Sequence, residues 1–161
     1  MTCWLCDRSQ YEYIEHNGMR VSRLLFECEN TFVVIPRESH VKHHLIVGLK
    51  AKNGVHKSGL IECNSDDLNY LGTTIAKCNA TILRLGYDTI YLGCYSDEGH
   101  VHYHLLPLLH SRDKGYKGST MKWMAEKEAE VKERMFNNMN DDEKRIRLQE
   151  IKILVDELKI E

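Results

Sequence analysis

The chain has 161 residues, 42% of them apolar and 29% charged, with a formal net charge of −2 and a pI near 6.5. That length suits one domain with a full core. The balanced charge excludes broad nucleic-acid binding, which needs a clustered basic surface, and no apolar run approaches the roughly 20 residues of a membrane span.

The opening Met1-Thr2-Cys3-Trp4-Leu5-Cys6-Asp7 does not read as a secretion signal. With six cysteines in the chain, the expectation is a cytoplasmic protein with free thiols. Cys3 and Cys6 form a Cys-x-x-Cys pair that is open to three readings: a zinc half-site, a redox pair or two idle thiols. No strand precedes it, as a thioredoxin-like redox pair requires. Next, Tyr11–Glu15 and Met19–Phe26 flank His16-Asn17-Gly18, a hairpin signal. Further strands are expected at Thr31–Ile35, stopped by Pro36, and at His44–Leu49, with a turn over Lys50–Gly54.

Ser65-Asp66-Asp67 reads as a helix N-cap with acid in the first turn. Leu68, Leu71, Ile75, Cys78 and Ile82 follow as one apolar stripe, with a C-terminal cap expected at Gly86. Tyr87–Tyr95 reads as a strand and Ser96–Gly99 as a turn into Gly99-His100-Val101-His102-Tyr103-His104-Leu105-Leu106-Pro107. Beyond His110, a polar linker over 111–118 leads to two charged helices, at about 119–137 and 141–159. The second carries Leu148, Ile151, Val155 and Leu158 on one face, with Glu143 four residues before Arg147. The chain thus divides into a main domain over 1–110 and an extension over 111–161, an amphipathic addition packed on its own domain or on a partner subunit. Strands, one long helix and a final hairpin make an α+β fold with a mainly antiparallel sheet.

The alternation at 100–105 has the period of a half-buried strand. It directs His100, His102 and His104 to one face and Val101, Tyr103 and Leu105 to the core, with same-face neighbours roughly 7 Å apart. Such a row suits phosphoryl chemistry. Imidazole attacks phosphorus and carries the group covalently, its tautomer is set by a bond to the other nitrogen, and neighbouring rings supply donors to the developing charge.

His-x-His-x-His-x-x, with x apolar, resembles the motif of the histidine-triad (HIT) superfamily of nucleotide hydrolases and transferases. The resemblance covers about residues 3–110. It implies a HIT-like fold and cleavage at the α-phosphate of a purine nucleotide or nucleotide conjugate: a phosphoramidate, an aminoacyl-adenylate or a dinucleoside polyphosphate. His102 resembles the nucleophile, His104 the partner that contacts phosphate and aids the leaving group, and His100 the residue that orients the site. The family's fourth histidine, before the Leu-Ile-Val strand, falls on His44 or on the adjacent His43, with His44 favoured. Zinc-bearing members have an N-terminal Cys-x-x-Cys, a histidine before the long helix and the first triad histidine as ligands. The resemblance therefore implies a structural zinc on Cys3, Cys6, His56 and His100. It also implies a homodimer through the long helix and a strand edge.

The sequence departs from the family in places. Ser96 stands where a glutamine near the scissile phosphate is common, Asp97 and Glu98 adjoin the site, and Pro36-Arg37-Glu38 offers no clear ribose-binding acid. Two other readings stand beside the enzyme: a non-catalytic nucleotide-binding module, and a metalloenzyme with the triad itself as ligands. DNA-end processing is disfavoured, since 111–161 contains no Cys or His for an accessory zinc module.

Overall fold

The computed structural model describes residues 3, 5–7, 13–36, 42–95, 99–108 and 138–159. The expected helix at 119–137, the linker before it, Ser96, Asp97, Glu98 and Arg37-Glu38 lie outside them. Strands β1 (Tyr13–His16) and β2 (Met19–Ser22) form a separate hairpin. Its turn is Asn17-Gly18, both at positive φ, 47° and 78°, the backbone of a tight antiparallel connection.

The run Met19–Phe26, read from the sequence as one strand, is in fact two. After β2 the chain turns at Arg23 and begins β3 (Leu24–Glu27) in another sheet. Arg23 is the cause: buried, it donates from Nε and Nη2 to the Ile35 carbonyl at 3.0 and 2.8 Å. The Ile35 N–H returns a bond to the Arg23 carbonyl at 2.9 Å.

Strand β3 joins β4 (Thr31–Val34), β5 (Leu45–Leu49), β6 (Thr89–Tyr95) and β7 (His102–Leu108) in one antiparallel sheet, in the order β3-β4-β5-β7-β6. Helix α1 (Ser65–Arg84) crosses one face. Its N-cap is Asn64, not the Ser65 of the sequence reading. The Asn64 side chain accepts from the Asp67 N–H at 2.9 Å, and Asp67 accepts from the Asn64 N–H at 3.1 Å. This reciprocal pair satisfies two end donors, which a lone Ser65 cap does not. At the other end Gly86, φ 87°, and Tyr87 donate to Leu83 and Ile82, as a left-handed glycine cap does. Of the expected stripe, Leu71, Cys78 and Ile82 are buried, while Leu68 stays 45% exposed. Thr74 and Thr81 are buried on this face too, polar residues that a hydrophobic count passes over.

Helix α2 (Asp141–Leu158) packs on α1 and on β1 to β3. Its buried residues are Leu148, Ile151, Leu154 and Leu158, with Val155 only half-buried. Ile151, Leu154 and Leu158 share one cluster with Val33, Val47, Leu71, Ile82 and Leu105. Glu143 does not pair with Arg147 as the spacing suggested: it closes a capping box with Asn140, and Arg147 pairs with Glu150 at 3.7 Å. The opposite sheet face carries Phe32, Val34 and Ile46 against Leu5 of the N-terminal segment. Among the described residues no helix is long and apolar enough to cross a membrane.

Candidate functional site

That second face bears the histidines. Cross-strand register sets Phe32, Gly48 and His102 in one line across β4, β5 and β7, and Val34, Ile46 and His104 in the next. An apolar platform therefore runs directly into two imidazoles. Gly48 is required here because an added Cβ would run into the Phe32 ring.

His102 and His104 share a face, as alternation predicts, and their Nε2 atoms are 3.0 Å apart. His100 does not complete the row. Strand β7 begins at His102; Gly99 turns the chain at φ 66°, and the Val101 N–H pairs with the Lys57 carbonyl at 2.8 Å. The His100 ring points instead toward Cys3 and Cys6. What it offers the row is its backbone oxygen, which accepts from His102 Nδ1 at 2.7 Å.

This bond fixes the tautomers. A carbonyl only accepts, so His102 Nδ1 carries hydrogen and, in the neutral ring, Nε2 keeps a lone pair. His104 Nε2 then donates to it, which leaves His104 Nδ1 to accept from His44 Nε2 at 2.9 Å. His102 Nε2 thus holds a lone pair able to act as a nucleophile, and in this structure that lone pair accepts from His104.

Of the two adjacent histidines, His44 faces the row and His43 turns away. His43 has φ 60°, costly for a side-chain-bearing residue, and its Nδ1 lies 3.0 Å from the Tyr87 hydroxyl. Burial, with Arg147 and Lys42 nearby, pushes the His43 pKa down to about 3. Neither Tyr87 nor the carbonyl of Leu49, which accepts from His100 Nε2 at 2.7 Å, was singled out from the sequence. Only the folded chain brings them to the histidines.

Cys3, Cys6, His56 and His100 come together with their ligand atoms all within 4.8 Å of one another. His100 Nδ1 lies 3.3 Å from Cys3 Sγ and 3.2 Å from Cys6 Sγ, and His56 Nδ1 lies 3.6 Å from Cys6 Sγ. The tetrahedron drawn by Zn–S and Zn–N bonds has S···N edges of roughly 3.5 Å, so the donor set fits such an ion in type and spacing. Because His100 Nε2 donates to Leu49, its Nδ1 is left as the ligating atom. Burial pushes the His100 pKa down to about 4, despite the opposing Leu49 carbonyl, and so keeps that lone pair free. Burial and then the neighbouring Cys3 push Cys6 up to about 11, a repulsion between thiolates that a cation relieves.

A cavity of about 120 Å³ lies beside this cluster, lined by Leu5, Cys6, Leu24, Glu27, Phe32, Lys50 and Ala51, with Glu27 and Lys50 paired at 2.9 Å. It is lined by none of His44, His102 or His104. Ser96 lies outside the described residues.

No family model and no curated protein matches the sequence. Solved structures do match in shape. A HIT-like protein involved in cell-cycle regulation from Bartonella henselae superposes with TM-score 0.55 at 10% identity, covering 91% of this chain and 90% of that one. A hypothetical histidine triad nucleotide-binding protein from Sulfolobus tokodaii gives 0.55 at 14% identity, with 85% of each chain covered. A zinc-bound histidine triad family protein from Mycobacterium smegmatis gives 0.50 at 11% identity, covering 83% and 86%. The antiparallel sheet, its long helix and the paired histidines on β7 are thus arranged on the histidine-triad fold.

Proposed function

We propose that this chain is a histidine-triad nucleotide hydrolase or nucleotidyl transferase, acting at the α-phosphate of a purine nucleotide conjugate. The observation that carries this reading is the continuous hydrogen-bonded row from the His100 carbonyl through His102 and His104 to His44. His102 Nε2 attacks phosphorus: a P–N bond forms while the bond to the leaving group breaks and its electron pair departs with that group. His104, made imidazolium by the bound phosphate anion, gives the leaving group a proton from Nε2, and His44, its hydrogen moved from Nε2 to Nδ1, then accepts from the other nitrogen of His104. Water then attacks phosphorus, the P–N bond breaks with its electrons returning to His102, and the water's proton restores His104.

Cys3, Cys6, His56 and His100 hold a structural Zn²⁺ in this reading. Four protein ligands leave no open position, so the ion would pin the N-terminal residues to the sheet and fix the carbonyl that orients His102. A triad-held catalytic metal is disfavoured, because the His100 ring turns to Cys3, Cys6 and the Leu49 carbonyl while His102 and His104 meet through their Nε2 atoms, so the three do not converge on one point. A homodimer is supported by the terminal position of β6 in the sheet and by half-exposed Leu68, Tyr70 and Leu92.

The test is incubation with an adenosine phosphoramidate and with diadenosine polyphosphates, following AMP release by wild type and His102→Ala. Release by wild type and a loss of at least about 10³-fold in the variant support covalent nucleotidyl transfer. Tight AMP binding without turnover in either protein replaces the enzyme with a binding module.

A further inference from the structure

Helix α2 lies outside the part of the chain that the histidine-triad motif explains, yet it reaches the turn that carries His44. Glu150 on α2 pairs with Lys42 at 2.6 Å and with Arg147, one helical turn away, at 3.7 Å. Glu150 and Arg147 are largely buried, with 19% and 13% side-chain exposure, while Lys42 is 54% exposed, so the tether to the turn is shielded from water at its Glu150 end. Lys42 is followed by His43 in a left-handed backbone, φ 60°. Such a conformation persists in a residue with a side chain only where its surroundings hold it. Two things hold it here: the Tyr87 hydroxyl on the His43 ring and the ion pair from α2 on Lys42. The next residue is His44, fully buried and bonded to His104.

We propose that α2, through Glu150, acts with Tyr87 to position His44: together they lock the Lys42–His43 turn so that the His44 Nε2 meets His104. Both are positioning residues, since neither touches the phosphate site. The inference rests on the nucleotidyl-transfer reading for its kinetic consequence only; its structural content is independent of turnover.

The test uses the whole 161-residue chain, loaded with zinc, and the variants Glu150→Gln and Tyr87→Phe, each nearly isosteric. Imidazole ¹⁵N spectra read the hydrogen bond between His44 and His104 directly, whether or not the protein turns over substrate. Glu157→Gln serves as the control. Glu157 is another charged tether of α2, bonded to Arg84 at 2.8 Å, and it lies away from the turn.

The expected result is loss of the fixed-tautomer signature at His104 in Glu150→Gln and Tyr87→Phe, with about a tenfold fall in kcat for AMP release and an unchanged KM. Glu157→Gln keeps the wild-type spectrum and kcat, even with a lower Tm. Combining either variant with His44→Ala adds no further loss, because the positioned residue is already gone. Wild-type spectra in both variants overturn the proposal, and so does a spectral change of equal size in the control. Altered spectra in a protein that never releases AMP keep the positioning and remove the proposed activity alone.

Discussion

The two ends of the histidine row are anchored by different physics. At the His100 end the chain relies on short loops and on four ligand atoms drawn from three separate segments. Cys6 is exposed and His56 only half-buried, and among the described N-terminal residues Leu5, with Cys3 beside it, supplies the apolar packing. At the His44 end the anchor is the core itself, with Leu148, Ile151, Leu154 and Leu158 of α2 fully buried and the Tyr87 hydroxyl on the His43 ring. On the proposed zinc reading one end would depend on an ion and the other on packing, so each should fail under a different perturbation.

The largest effect is expected from the ion. Where free zinc is about 1,000-fold above its Kd, the ion contributes about 4 kcal/mol to folding. Chelation, or Cys6→Ser, should therefore lower Tm strongly, with metal analysis falling from one ion per chain to none. The Cys6→Ser protein should then ignore the chelator. A wild type whose Tm is indifferent to chelation removes the contrast between the two ends.

Packing comes next. Leu154→Ala opens the shared core beneath the other end and should cost about 3 kcal/mol, read by urea unfolding, while metal content stays at one ion per chain. Loss of the ion in this variant would show that the two ends are coupled rather than separately held. A smaller cost, about 1–3 kcal/mol, is expected for Gly48→Ala, because the new methyl displaces the Phe32 ring between the ends, in the line that contains His102.

The same contrast explains what the sequence disclosed. Period-two alternation is local, so His102 and His104 could be placed on one face and Leu105 in the core before any coordinates. The helix α1 and its glycine cap were legible for the same reason. Where a group finds a hydrogen-bond partner that periodicity does not mark, pattern reading failed. Arg23 breaks a strand because of Ile35, His100 leaves the row because Val101 pairs with Lys57, and Glu143 abandons Arg147 for the Asn140 N–H. The division of labour between His43 and His44 rests on one left-handed residue, and nothing in the pair of letters marks which of the two will adopt it.

The smallest expected effect is a pH slope from that residue. His43 has a folded pKa near 3 against an ordinary value of 6.5. Between those values the unfolded chain binds a proton that the folded chain refuses. Its stabilising contribution is therefore complete above about pH 6.5 and declines as pH is lowered toward 3. The surroundings enforce the sign: burial first, then the charges of Arg147 from α2 and Lys42 from the turn itself. His43→Asn removes the titration yet keeps a residue that tolerates positive φ. Urea unfolding of both proteins between pH 7 and 5, with zinc in excess, subtracts the metal end, which is common to both. The variant should lose stability less steeply than wild type across that interval. Equal slopes would mean that the packed end opens readily enough for His43 to be protonated in place, and the two anchors would then differ less than their geometry implies.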